Sequence, residues 1–168
     1  MKAFTREDVT TGDILIWDGE NATGKSNIFL KSVRLMTMSN FGHVSIAWRA
    51  PSGSELHHVE ATQPVIRRIA IPSSASFYCI KTDKTVLDSQ MQSFFQDKLG
   101  AKYSFTDAVY AYLGMRPRAD NRWQCVELAN YFCKHIGLDV PDVFIPNEFV
   151  QALMLKTGNP LNFVKGVM

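Results

Sequence analysis

The sequence predicts an α+β fold in a single domain spanning residues 1–168, and three observations predict it. Short apolar runs bounded by Gly, Pro and Ser fill the first half of the chain. Apolar residues in the second half recur at spacings of three and four. No internal repeat, linker or low-complexity tract divides the two halves, so strands come first and helices pack around them.

The strands can be taken in order. Residues 13–17 (DILIW) follow a Thr-Gly turn, and 44–48 (VSIAW) lie between Gly42 and the loop APSGS. LHHVEA at 56–61, PVIRRIAI at 64–71 and FYCIK at 77–81 continue the pattern with turn residues between them, as in an antiparallel meander. Between the first two strands, Ile28, Leu30, Lys31, Val33, Leu35 and Met36 suggest a helix.

The period then changes. Leu87, Met91, Phe94, Phe95 and Leu99 mark an amphipathic helix stopped by Gly100. Phe105, Ala108, Val109 and Tyr112 predict another before Gly114, and a last helix runs from about Pro146 to Leu155. Between them, Cys125, Leu128, Ala129, Phe132, Cys133 and Ile136 share one helical face that ends at Gly137. Asn121 is the expected N-cap, with Gln124 three residues on in a capping-box arrangement.

Composition bounds the function. With 168 residues, 46% hydrophobic and 11% aromatic, the chain can bury a proper core. Lys plus Arg number 18 against 16 Asp plus Glu, and a net charge of +2 gives no field that points to nucleic acid. The N-terminal MKAFTREDVTTGD has no apolar h-region, and no apolar run is long enough to span a membrane, so the expectation is a cytoplasmic protein without an integral membrane segment. Three scattered cysteines form neither a disulfide framework nor a CxxC metal site, and no cofactor or metal is expected.

Cys125 is the cysteine with a chemical position. In the first turn of its helix, unbonded N–H groups and the positive dipole end favour a thiolate. Cys79 and Cys133 read as core residues. A nucleophilic thiol also needs a base and a group to orient it. His135, ten residues along the same helix, lies about 15 Å away and reads as a partner of the helix C-terminus. His43 and Glu60 make the stronger case. A hairpin around a turn at 50–53 would place them directly across from each other on one face, with Cβ atoms about 5 Å apart, and His58 on that same face. A slip of one residue would separate them.

These residues resemble the circularly permuted, NlpC-like papain-fold cysteine peptidases and amidases of the YiiX and YebB kind. The matching stretches are TTGDILIW, IFLKSVRLMTMSNFGHVSIAW, HHVEATQPVIRRI, LGAKYSFTDA, WQCVELANYF and IPNEFVQALM, about Thr11 to Leu155. The resemblance implies a permuted papain-like fold, an antiparallel or barrel-like sheet packed with helices. It implies that Cys125 attacks a carbonyl, that His43 serves as base and then acid, and that Glu60 orients the imidazole. Tyr103 matches a family tyrosine near the site, where it would bind substrate or assist the oxyanion. Gly42 and Val126 stand where the family usually has serines.

The expected activity is hydrolysis of an amide bond through an acyl-enzyme. Cell-wall peptides are the substrate class by resemblance, reached by phage delivery or another export route. A lipid acyl hydrolase or acyltransferase on the same fold is the alternative. Arg67 and Arg68 read as surface arginines or as holders of a substrate carboxylate or phosphate.

Two readings come from other classes. GENATGKS, Gly19 to Ser26, satisfies the P-loop pattern, with Lys25 for phosphate and Ser26 for magnesium. It would need an acidic partner on a neighbouring parallel strand, for which Asp83 is the nearest candidate. The other is a catalytically silent binding domain, against which stands the retention of all three catalytic groups.

Overall fold

The computed structural model describes residues 3–18, 40–50, 55–104 and 122–167. The expected helices around 28–36 and 105–112, the P-loop-like stretch and Asn121 lie outside the described residues. The fold is α+β, with eight strands and three α-helices among the described residues.

Six strands form one antiparallel sheet, ordered β4-β3-β2-β1-β5-β8. These are β1 (Ile14–Trp17), β2 (His43–Arg49), β3 (Leu56–Ala61), β4 (Ile66–Ala70), β5 (Phe77–Ile80) and β8 (Asn162–Val164). The sheet is open, with β4 and β8 as its outer strands, which corrects the expectation of a barrel-like core. β1 is a central strand buried along its whole length, so it reads as an unbroken apolar run.

Two apolar layers cover the sheet. On one face Ile14, Ile16, Val44, Ile46, Trp48, Val59 and Ile66 pack with residues of the helices α1 (Asp88–Phe95), α2 (Cys125–His135) and α3 (Pro146–Thr157). On the other, Leu15, Trp17, Ala47, Leu56, Phe77 and Cys79 pack beneath Val9, Ile71 and Ala75. The N-terminal segment is tied across this second face, since the Arg49 guanidinium donates to the carbonyls of Val9 (3.1 Å) and Arg6 (2.6 Å). Full burial of a side chain such as Phe132 or Phe95 is worth about 1.5–3 kcal/mol.

α1 is shorter than its periodicity suggests. Met91, Phe94 and Phe95 are buried, but Leu87 and Leu99 flank the helix and are exposed. α2 buries Cys125, Leu128, Ala129, Phe132 and Cys133 as expected. Gly137, at φ 76°, ends it, with Gly137 N–H donating to the Lys134 carbonyl (3.0 Å) and Leu138 N–H to that of Cys133 (2.8 Å). That pair of bonds closes the helix around a left-handed residue that glycine adopts without strain.

The start of α2 differs from the expectation. Gln124, not Asn121, is the N-cap, and its N–H donates to the Glu127 carboxylate (3.3 Å). Residues just before it are taken by a two-stranded parallel sheet of β6 (Lys102–Tyr103) and β7 (Arg122–Trp123), in which Tyr103 pairs with Trp123. Extended backbone at Arg122–Trp123 leaves no room for a helical turn there, and Cys125 becomes the first helical residue.

Candidate active site

Three elements meet where β2 begins. β2 and β3 pair from Arg49↔Leu56 up to Ile46↔Val59, and the ladder stops there. The register is shifted by two residues from the expected hairpin: Ala47 faces His58, where the expectation put it opposite Leu56. His43 and Glu60 are therefore not direct cross-strand partners. A shift of two preserves the face, however, and a diagonal neighbour lies within reach of a long side chain. His43 Nε2–H donates to Glu60 Oε2 at 2.8 Å, with both residues buried.

The end of the ladder also opens an edge for the thiol. Ala47 N–H donates to Asp13 and its carbonyl accepts from Gly12, so odd-numbered residues of β2 turn their backbone groups toward β1. The N–H of Val44 consequently points toward β3, beyond the last paired residue. The N-terminus of α2 occupies this place, and the N–H groups of Val44 and Val126 both donate to the sulfur of Cys125. His43 completes the set through a side-chain hydrogen bond to Cys125. With Nε2 committed to Glu60, Nδ1 is the ring nitrogen left to face the sulfur.

The electrostatics follow from these contacts. Burial opposes charge on His43, but the hydrogen bonds to Cys125 and Glu60 overcome it and push the imidazole up to about 10. Burial likewise works against the Cys125 thiolate, and the His43 hydrogen bond and charge, followed by the two N–H groups, bring the thiol below its ordinary value. Glu60 would be raised by burial, yet the hydrogen bond and charge of His43, with His58 and Arg67, hold its carboxyl at about 2. Between the acid and alkaline limits these shifts favour a thiolate, an imidazolium and a carboxylate in series.

The other two cysteines behave as core residues. Cys79 and Cys133 are fully buried, whereas Cys125 retains 6% exposure. Burial raises the Cys79 thiol, and pushes that of Cys133 up to about 12. His135 ends α2 far from the sulfur, with its ring 4.9 Å from that of Phe94.

Tyr103 is delivered by the β6–β7 pair, and Trp123 lies two residues before Cys125. Burial raises the Tyr103 phenol, and the charge at Cys125 raises it further, which puts the ring within electrostatic reach of the sulfur. The Gln124 side chain is occupied elsewhere, its amide donating to the Phe144 carbonyl at 3.3 Å.

Two features go beyond the sequence-based expectations. Arg67 lies directly across from Glu60 in the β3–β4 ladder and donates to Glu60 Oε1 from Nε (2.9 Å), with Nη2 in ion-pair contact with the same oxygen (2.7 Å). Aligning that hairpin about its turn would have found it. Behind the site, Trp17 Nε1–H donates to Ser45 Oγ (2.9 Å), and Ser45 Oγ lies 2.9 Å from His58 Nδ1. Burial lowers His58 to about 4, so Ser45 Oγ–H can donate a hydrogen bond to Nδ1 of the neutral ring. Arg68 takes a separate path, with its guanidinium 3.9 Å from the Trp48 ring centroid and 3.2 Å from His57 Nδ1.

The P-loop reading meets a contrary topology. Every pairing in the six-stranded sheet is antiparallel, and Asp83 accepts a hydrogen bond from Asn159 at 2.6 Å. Among the described residues no cluster of His, Cys, Asp or Glu could hold a metal ion, and no helix is long and apolar enough to cross a membrane. No family model matches the chain, and no curated protein matches it in sequence.

Proposed function

We propose that the chain is a cysteine hydrolase that cleaves amide bonds through an acyl-enzyme intermediate. The observation that carries this reading is the unbroken series Cys125, His43, Glu60, with the sulfur at the first residue of a helix and two backbone N–H groups on it. A thiolate so held needs no base to activate it. The order of the three residues along the chain also agrees with the NlpC-like resemblance.

In the reaction the Cys125 thiolate attacks the carbonyl carbon, and the C=O electron pair moves to oxygen. The Cys125 N–H, at the first helical position, has no intrahelical acceptor and supplies one oxyanion donor. Tyr103, whose phenol feels the charge at Cys125, would be the second group to meet the substrate. His43 gives its Nδ1 proton to the leaving nitrogen, the C–N bond breaks, and a thioester remains. Water then attacks the thioester as His43 takes its proton, and Cys125 departs as thiolate. Glu60 holds the ring through Nε2 in both halves.

The substrate class assigned by resemblance is the peptide of the bacterial cell wall. Incubation with muropeptides and, in parallel, with phospholipid vesicles tests it, with intact-mass detection of a Cys125 acyl adduct and of released amine or fatty acid. Amine release that disappears in Cys125→Ala is the expected result. Fatty acid release instead would move the assignment to acyl esters, and no adduct from either source would overturn the hydrolase reading.

A further inference from the structure

We infer that Arg67 is a positioning residue of this site: by holding one oxygen of the Glu60 carboxylate it keeps the group turned so that the other oxygen faces His43. The inference rests on the hydrolase reading and extends it by one residue. Glu60 has two oxygens with separate duties. Oε2 accepts from His43 at 2.8 Å, and Oε1 accepts from Arg67 Nε at 2.9 Å with Nη2 in ion-pair contact at 2.7 Å. A carboxylate bound at only one oxygen can rotate about its terminal torsion, which is broad and roughly two-fold. The Arg67 contact at Oε1 restrains that freedom, because both oxygens are then held, one by the guanidinium and one by the imidazole.

The backbone prearranges the contact. Glu60 and Arg67 are ladder partners on β3 and β4, so their Cβ atoms lie on one face before either side chain chooses a rotamer. The Arg67 side chain is 43% exposed and that of Glu60 8%, so the arginine reaches in from the solvent side to a buried acid. The other ionisable groups acting on Glu60 are His43 from β2 and His58 on its own strand. Cys125 and Tyr103 follow beyond His43. Arg67 reaches Glu60 from β4, across the ladder. It lowers the carboxyl together with the two histidines and keeps it charged when the medium is acid.

The pH profile of Cys125 alkylation by iodoacetamide, read by intact mass, tests this, with circular dichroism to verify folding. In Arg67→Gln the acid limb should move up by about one pH unit, roughly tenfold in rate at a fixed pH on that limb, and in Arg67→Lys by less. In a Glu60→Gln background the added Arg67→Gln change should have little further effect, since both act through one carboxylate. An arginine with only a structural role would lower stability and leave the limb where it was, and that outcome in folded Arg67→Gln overturns the inference. Should Arg67→Gln fail to fold, Arg67→Lys decides by the same limb. A wild-type profile with thiolate only in the ordinary thiol range would overturn the hydrolase reading and this inference together; a wild-type profile with a lowered limb that Arg67→Gln leaves unmoved overturns Arg67 alone.

Discussion

His43 and Glu60 touch at 2.8 Å although the β2–β3 ladder does not pair them. One step beyond its last pair the register would set Glu60 opposite Ser45, so the contact is diagonal and depends on the length of the glutamate side chain. Glu60→Asp should therefore impair the site nearly as much as Glu60→Gln, which keeps the length and loses the charge. Both should lower kcat by at least about a hundredfold with KM little changed, measured on whichever substrate forms the acyl adduct.

The three thiols should differ in reactivity. Iodoacetamide near neutral pH should add a single equivalent, at Cys125, since Cys79 and Cys133 are buried with raised pKa values. His43→Ala should slow that labelling at least about tenfold. Peptide mapping of the alkylated protein checks both, and equal slow labelling of all three thiols would contradict the assignment.

The charge state of His43 can be read directly. Its imidazole, pushed up to about 10, should remain protonated through neutral pH in nitrogen-detected NMR spectra. Cys125→Ser removes the thiolate, the larger of the two partners that raise it, and should move the titration down toward the ordinary 6.5. A raised His43 contributes to stability in full below 6.5 and loses that contribution as pH rises through about 10. Glu60, held at about 2, contributes in full above 4.5 and loses it as pH falls through about 2.

Ser45 should prove a stability residue. Ser45→Ala leaves the Trp17 N–H and His58 Nδ1 buried without a partner, at about 2–4 kcal/mol in total. Urea denaturation at neutral pH measures it. Because His58 is lowered to about 4, its contribution is complete above 6.5 and is lost as the pH falls through 4, so the wild-type urea midpoint should drop across that interval.

Much of this was legible in the chain. Alternation and three-four spacing located β1 to β5, α2 and α3, because β1, β2, β3 and β5 are largely buried strands, β4 is bounded by turn residues, and each helix has one apolar stripe. Cys125, His43 and Glu60 were identified from a helix start, a strand start and a resemblance. What could not be read was pairing. The hairpin register differed by two residues, since sequence does not reveal where a ladder ends. β6, β7 and β8 are two or three residues long and carry no period, and β7 displaced the expected N-cap of α2. Arg67 looked like a surface residue because its role depends on the residue across the ladder.

β4 is an outer strand of an open sheet, and Arg67 and Arg68 lie within it. Cationic side chains on such a border discourage another molecule from adding a strand to it. Replacing Arg67 with an apolar residue would thus remove a safeguard against self-association as well as a grip on Glu60. Light scattering of concentrated variants would register the first loss even where chemistry is not being assayed.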